Sequence, residues 1–198
     1  VVNTVRSLAN AAVATRSYLA QSFASALGEA SAGRDGDRDP QRIMEISADE
    51  TFLDAARQAG VRHYCSSELD IAVDLNGKEE IALAINPLEG STNIHANVSI
   101  GTIFSLLPVS ASQPEESFLR KGADQLAAGF FIYGPQLALA LTLGAGTRIF
   151  AHSPRLGTFV ETRLATISDR TEEFAINASN YRHWNQAMRL YIDDCLQG

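Results

Sequence analysis

Apolar residues in the first 27 positions recur at roughly helical spacing, at Val5, Leu8, Ala12, Val13 and Leu19. This pattern predicts a helix from about Val2 to Leu27. "GEASAGRDGDRDPQ", Gly28 to Gln41, breaks it, and its Gly, Asp, Arg and Pro content reads as a loop. "SADETFLDAARQAG" restores the helical period. Ser47 reads as its N-cap, Glu50 as the capping-box partner and Gly60 as the C-cap. From Val61 the period shortens to two. "VRHYCS", "LDIAVDL" and "EEIALAI" read as strands, with Asn76–Gly77 as a hairpin turn. "NVSIGTIFSLLP" is a further strand. After a polar connector, "QLAAGFFIYG", "PQLALALTLGAG", "TRIFAHSP" and "GTFVETR" predict an antiparallel meander of short strands parted by Gly and Pro turns. "FAINASN" and a helix over "YRHWNQAMRLYIDDCLQ" come last. Strands and helices mixed in this way predict layered α/β or α+β architecture.

Composition narrows the function classes. Of the 198 residues 45% are apolar, enough for a packed core. A net charge of -7 argues against nucleic acid or an anionic membrane as partner, since both need clustered Lys and Arg. It suits a site that recruits a cation. Cys65 and Cys195 offer neither a disulfide framework nor a zinc spacing, which points to a reducing compartment. The sequence holds no long apolar run of membrane-spanning length, and its start lacks the basic and apolar blocks of a signal peptide. The expected setting is the cytoplasm.

The chemistry concentrates in "INPLEGSTNI". Pro87 cannot donate a ladder bond, so the strand is expected to end there. Gly90 permits a backbone conformation that other residues disfavour. Ser91 or Thr92 can then cap a helical turn whose free N–H groups favour a phosphate. Beside it stand the Glu89 carboxylate and the Leu88 carbonyl, oxygen donors of the kind that Mg²⁺ accepts. An ordinary strand–turn–helix junction accounts for the same residues.

Extended into the next strand, "NPLEGSTNIHANVSIGTIF" resembles the class I fructose-1,6-bisphosphatase family, whose usual form reads Asp-Pro-Leu-Asp-Gly-Ser-Ser-Asn-Ile-Asp before a Val-Ser-Val-Gly-Thr-Ile-Phe strand. "SADETFLDAARQA" with "YCSSEL", "LAAGFFIYGPQLALALTLGAGTRIFAHSPRLGTFV" and "FAINASNYRHWNQAMRLYID" are similar to other family segments in the same order. The last takes the proteobacterial form. The resemblance implies a layered sugar-phosphatase fold with mixed β-sheets sandwiched by helices. It implies a metal- and phosphate-binding part over residues 1–160 and the start of a substrate-binding part over 161–198. The implied activity is Mg²⁺-dependent hydrolysis, with Mn²⁺ as a substitute, of the 1-phosphate of fructose 1,6-bisphosphate, in gluconeogenesis or the Calvin cycle. The implied assembly is a homo-oligomer, usually a tetramer. By position, Ser67, Glu68, Asn86, Leu88 and Glu89 correspond to metal ligands. Glu89, Gly90, Ser91 and Thr92 correspond to contacts with the 1-phosphate, and Asn177 to a contact near the 6-phosphate. Glu45 and Glu68 correspond to catalytic acids, Glu45 in the loop that activates water.

The departures from the family pattern fall at these positions. Asn86 stands for an Asp and Ser67 for a Glu, so two acids are neutralised. Glu89 and Glu45 stand for Asp, so two are lengthened; His95 also replaces an Asp. The resemblance stops after Asn177 and its helix, so the family's remaining sugar-phosphate contacts and a further metal Glu are expected to be missing. These losses favour a rival reading, a sugar-phosphate-binding or assembly protein with little turnover, while Leu88, Gly90, Asn93 and Asn177 favour retained recognition. A phosphate-binding regulatory module working without metal is a third reading. His63 and Cys65 read as strand residues, Trp184 as a packing residue, and the spaced Asp pair of "GRDGDRD" as loop rather than calcium site.

Overall fold

The computed structural model describes residues 1–26, 40–110 and 113–197. Two helices precede the sheet, α1 (Val2–Ala26) and α2 (Pro40–Gln58). Pro40 opens α2, a position where its missing N–H costs nothing. Ser47 is therefore inside the helix rather than its cap, and its carbonyl accepts a bond from Thr51 Oγ1 at 2.8 Å. Of the expected Gly28–Gln41 loop, Pro40 and Gln41 are helical; the rest, including "GRDGDRD", lies outside the described residues. The predicted C-cap holds. Gly60 N donates to the Arg57 carbonyl and Val61 N to the Ala56 carbonyl, each at 3.0 Å.

Among the described residues, eight strands come after these two helices: β1 (His63–Ser66), β2 (Val73–Asp74), β3 (Ile81–Glu89), β4 (Ile100–Pro108), β5 (Ala127–Tyr133), β6 (Leu137–Thr142), β7 (Thr147–Ser153) and β8 (Thr158–Ala165). They form one mixed sheet in the order β2-β1-β3-β4-β5-β6-β7-β8. The fold is α/β, as the mixed pattern predicts, and the meander from β3 to β8 is antiparallel throughout. Two local expectations are corrected. Asn76–Gly77 does not close a hairpin, because β2 pairs with β1 and β1 runs parallel to β3. Pro87 does not end its strand either. The register shifts between Asn86 and Glu89, so Pro87 sits in an irregularity where no ladder donor is needed, and β3 continues to Glu89.

Alternate residues of the strands face α1 and α2. Leu83, Ile85, Phe104, Leu106, Phe131, Leu139 and Leu141 form one core with Leu8, Ala12, Phe52 and Ala56 of the helices. Phe104 and Phe131 stack with ring centres 5.6 Å apart. Within this core Tyr64 Oη donates to the buried Asp49 carboxylate at 2.8 Å. Burial, and then the Asp49 charge, push the Tyr64 hydroxyl far above its ordinary pKa, so it stays a donor. The opposite sheet face carries smaller residues and a groove of about 650 Å³, lined by Cys65, Ser67, Asn86, Ile103 and Phe130 among others.

The chain divides into two compact units, Val1–Ala165 and Thr166–Gly198. β8 thus runs across the expected division at residue 160. The second unit contains a 3₁₀ turn, Ala178–His183, and α3 (Gln186–Gln197). "FAINASN" forms no strand, and the first residues of the expected last helix belong to the 3₁₀ turn. Trp184 packs against Tyr181, with ring centres 5.2 Å apart.

Candidate active site

Parallel pairing of β1 with β3 decides where the site lies. Ser66 is level with Ile85, and Ser67 N donates to the Ile85 carbonyl at 3.1 Å. The residues that leave the C-terminal ends of both strands therefore emerge side by side. "SSEL" and "NPLEG" meet there although Ser67 and Asn86 are 19 positions apart in the chain. Ser67 Oγ donates to Asn86 Oδ1 at 3.1 Å, and Asn86 Nδ2 donates to Glu89 Oε2. Ser67 Oγ also lies 3.3 Å from Glu68 Oε1.

The first turns of α2 supply the other side. Glu45 Oε1 accepts from Ser91 Oγ at 2.6 Å and from Gln41 Nε2 at 3.0 Å. Gln41 Nε2 also donates to Ser91 Oγ at 3.0 Å. One Arg42 guanidinium nitrogen lies 3.3 Å from Glu45 Oε2 and pairs more closely with Glu68 Oε2. A continuous polar line thus runs from Glu89 through Asn86, Ser67, Glu68 and Arg42 to Glu45 and Ser91. Burial raises the Glu45 carboxyl pKa, but hydrogen bonds from Ser91, Gln41 and Arg42 outweigh it and hold the group below its ordinary value.

Of the residues expected to act together, Glu45, Ser67, Glu68, Asn86, Glu89 and Ser91 are joined in this line. Gly90 precedes the 3₁₀ turn Ser91–Ala96 with φ +75°, the left-handed conformation that glycine adopts without strain. Ser91 caps nothing; its hydroxyl is given to Glu45 instead. Thr92 is exposed and Leu88 is buried. Asn177 belongs to the second unit, where its Oδ1 accepts from Ser179 N at 3.0 Å and caps the 3₁₀ turn beside it. Gln41 and Arg42 escaped the sequence reading. Pro40, a frequent opener of helices, was the signal that they begin a helix, four and three residues ahead of Glu45.

His63 is buried at the start of β1, with Nδ1 2.8 Å from Ser117 Oγ, as a strand residue should be. Burial, and after it the Glu115 charge, raise the pKa of the half-buried Cys65 thiol, the opposite of what an attacking thiolate needs. Among the described residues no group of three or more His, Cys, Asp and Glu side chains is placed to hold a metal ion. Glu68 and Glu89, with Asn86 Oδ1 and Ser67 Oγ, are hard oxygen donors. Such a set fits a Mg²⁺ ion that keeps water and shares its shell with a substrate phosphate. Among the described residues no helix is long and apolar enough to cross a membrane.

Residues 7–164 match the family model "Fructose-1-6-bisphosphatase, N-terminal domain". The chain is 51% identical to the class 1 fructose-1,6-bisphosphatase of Rhizobium meliloti (strain 1021), over 98% of its own length and 57% of the relative's. It is 48% identical to that of Paracoccus denitrificans (strain Pd 1222), over 84% of its own length and 50% of the relative's. It therefore spans about half the length of these curated relatives. The crystal structure of Leishmania major fructose-1,6-bisphosphatase in holo form shares the fold. Its TM-score is 0.81 at 24% identity, covering 96% of this chain and 62% of that one. On the family model and these relatives together, the chain belongs to the class 1 fructose-1,6-bisphosphatase family, and its residues 7–164 match the N-terminal domain.

Proposed function

We propose that this chain carries the cation-binding and 1-phosphate-binding half of a sugar bisphosphatase site. The reaction is hydrolysis of the 1-phosphate of fructose 1,6-bisphosphate to fructose 6-phosphate and phosphate. The observation that supports this most is the single hydrogen-bonded line that joins Glu45, Glu68, Ser67, Asn86, Glu89 and Ser91 from α2, β1 and β3. Relatives named as fructose-1,6-bisphosphatases at 51% and 48% identity support the substrate class. The cytoplasmic, homo-oligomeric setting implied by the resemblance belongs to the same reading.

In this mechanism Glu68, Glu89, Asn86 and Ser67 would hold Mg²⁺ or Mn²⁺. The bound ion would supply charge neutralisation at the phosphoryl oxygens. Glu89 to Thr92 orient the phosphate. Glu45, kept ionised by its three donors, accepts the proton of the attacking water. The water oxygen forms the new bond to phosphorus, the bond to the sugar oxygen breaks, and that oxygen takes a proton from solvent as it leaves. Two specific observations favour slow turnover by this chain alone. Asn86 and Ser67 are neutral, and Glu68 is already paired with Arg42. The second reading, a sugar-phosphate-binding protein of low activity, rests on these.

The test is phosphate release from fructose 1,6-bisphosphate in excess Mg²⁺ or Mn²⁺, for the native chain and for Asn86→Asp with Ser67→Glu. Calorimetric binding of the sugar phosphate is measured alongside. We expect binding by both chains and faster release after the double change. Good turnover by the native chain would show that neutral residues suffice. Binding without turnover in both chains would favour the second reading, and no binding by either would sink both.

A further inference from the structure

Arg42 reaches two acids with one nitrogen. Its guanidinium lies 3.3 Å from Glu45 Oε2 on its own helix and pairs with Glu68 Oε2, 26 positions away, beyond the end of β1. The contact is not the two-nitrogen fork that arginine makes with a single carboxylate. It is one positive point shared between two carboxylates brought from different elements, the arrangement that a bridging cation would otherwise provide.

We propose that Arg42 is the built-in counter-cation of this site, and that a divalent cation engages Glu68 only by displacing the guanidinium. The inference rests on the cation-binding role proposed for the site. Three observations carry it. Arg42 is half exposed, with 49% of its side chain accessible, so it can swing into solvent without disturbing the core. Glu45 keeps its place without Arg42, because its other oxygen accepts from Ser91 and Gln41. Among the described residues, the Glu68 carboxylate has only a 3.3 Å side-chain contact with Ser67 Oγ besides the arginine, so its charge is answered mainly by Arg42. Both acids are only 14–16% accessible, which limits screening of their charge by solvent.

Mn²⁺ binding, followed by loss of the electron paramagnetic resonance signal of the free ion, tests this without turnover. The native chain, Arg42→Met, and Arg42→Met with Glu68→Gln are compared. Arg42→Met is expected to bind Mn²⁺ roughly five- to tenfold more tightly, the scale of releasing exposed ion pairs. The gain should vanish when Glu68→Gln is added. Metal-free Arg42→Met should melt lower than the native chain and regain more of its melting temperature on adding Mn²⁺. An unchanged or weaker Mn²⁺ affinity in Arg42→Met overturns the proposal, as does a gain that survives Glu68→Gln. Phosphate release decides the proposed function independently, since it can fail while Mn²⁺ occupancy still responds to Arg42.

Discussion

Two opposed effects meet on the Glu45 carboxyl: burial favours its neutral form, and donors from Ser91, Gln41 and Arg42 favour the charged one. The donors win, so its folded pKa lies below the ordinary 4.5 of the unfolded chain. A carboxyl of that kind stabilises the fold fully above the unfolded pKa. It loses that contribution as pH falls through the folded value. Glu45→Gln should therefore flatten the acid side of the stability–pH profile below about pH 4.5. Urea midpoints between pH 3 and pH 7 check this, and a parallel loss at every pH would show that the charge of Glu45 is not what matters. Glu45 was singled out in the sequence only through the order of family segments. Two of its donors were not, because Gln41 and Arg42 come directly after "GRDGDRDP" and share its loop-like composition. Asn177 shows the converse. Besides the place that resemblance gives it, its side chain caps a turn, a role that its chemistry alone suggests.

At the scale of elements, helical and strand periods were readable wherever one face is buried, as in α1, β3 and the meander. Pairing was less so. Asn76 adopts φ +55°, as a turn residue can, yet the strands beside it are not partners, because both lie next to β1 on opposite sides. Nothing in local composition separates a hairpin from a strand that returns on the far side of a third, as β3 does beyond β1. The segment before β3 is held close to the end of α2. Glu79 N donates to the Gly60 carbonyl at 3.0 Å, and Leu75 N donates to the Arg62 carbonyl at 2.7 Å. Gly77 is the tight point. A Cβ there would lie 2.1 Å from the Val61 carbonyl oxygen and 2.2 Å from that of Gly60. Gly77→Ala should cost about 1–3 kcal/mol, since backbone rather than a flexible side chain must yield. Chemical denaturation reads this directly, and a change under roughly 0.5 kcal/mol, the level of a neutral surface substitution, would contradict it.

The whole molecule divides its stability unevenly. The first unit holds the sheet and its helical layer, whereas nearly all of residues 166–185 are exposed and Ile192 is the buried apolar residue of α3. Limited trypsin digestion should cut first at Arg170, Arg182 or Arg189, leaving a resistant fragment that ends near Ala165. Early cleavage within β3 to β6 would show instead that stability is shared across the chain. The strand order has a consequence in time rather than in space. From β5 to β8 each strand lies beside its neighbour in sequence, so these pairings can close in succession over short loops. The parallel contact of β1 with β3 must wait for residues 67–80 to return, and that of β4 with β5 for the longer stretch 109–126. The two strand ends that carry Ser67 and Asn86 are joined by one of these slower contacts, so β5 to β8 should gain hydrogen-exchange protection during refolding before the polar line from Glu89 to Ser91 exists.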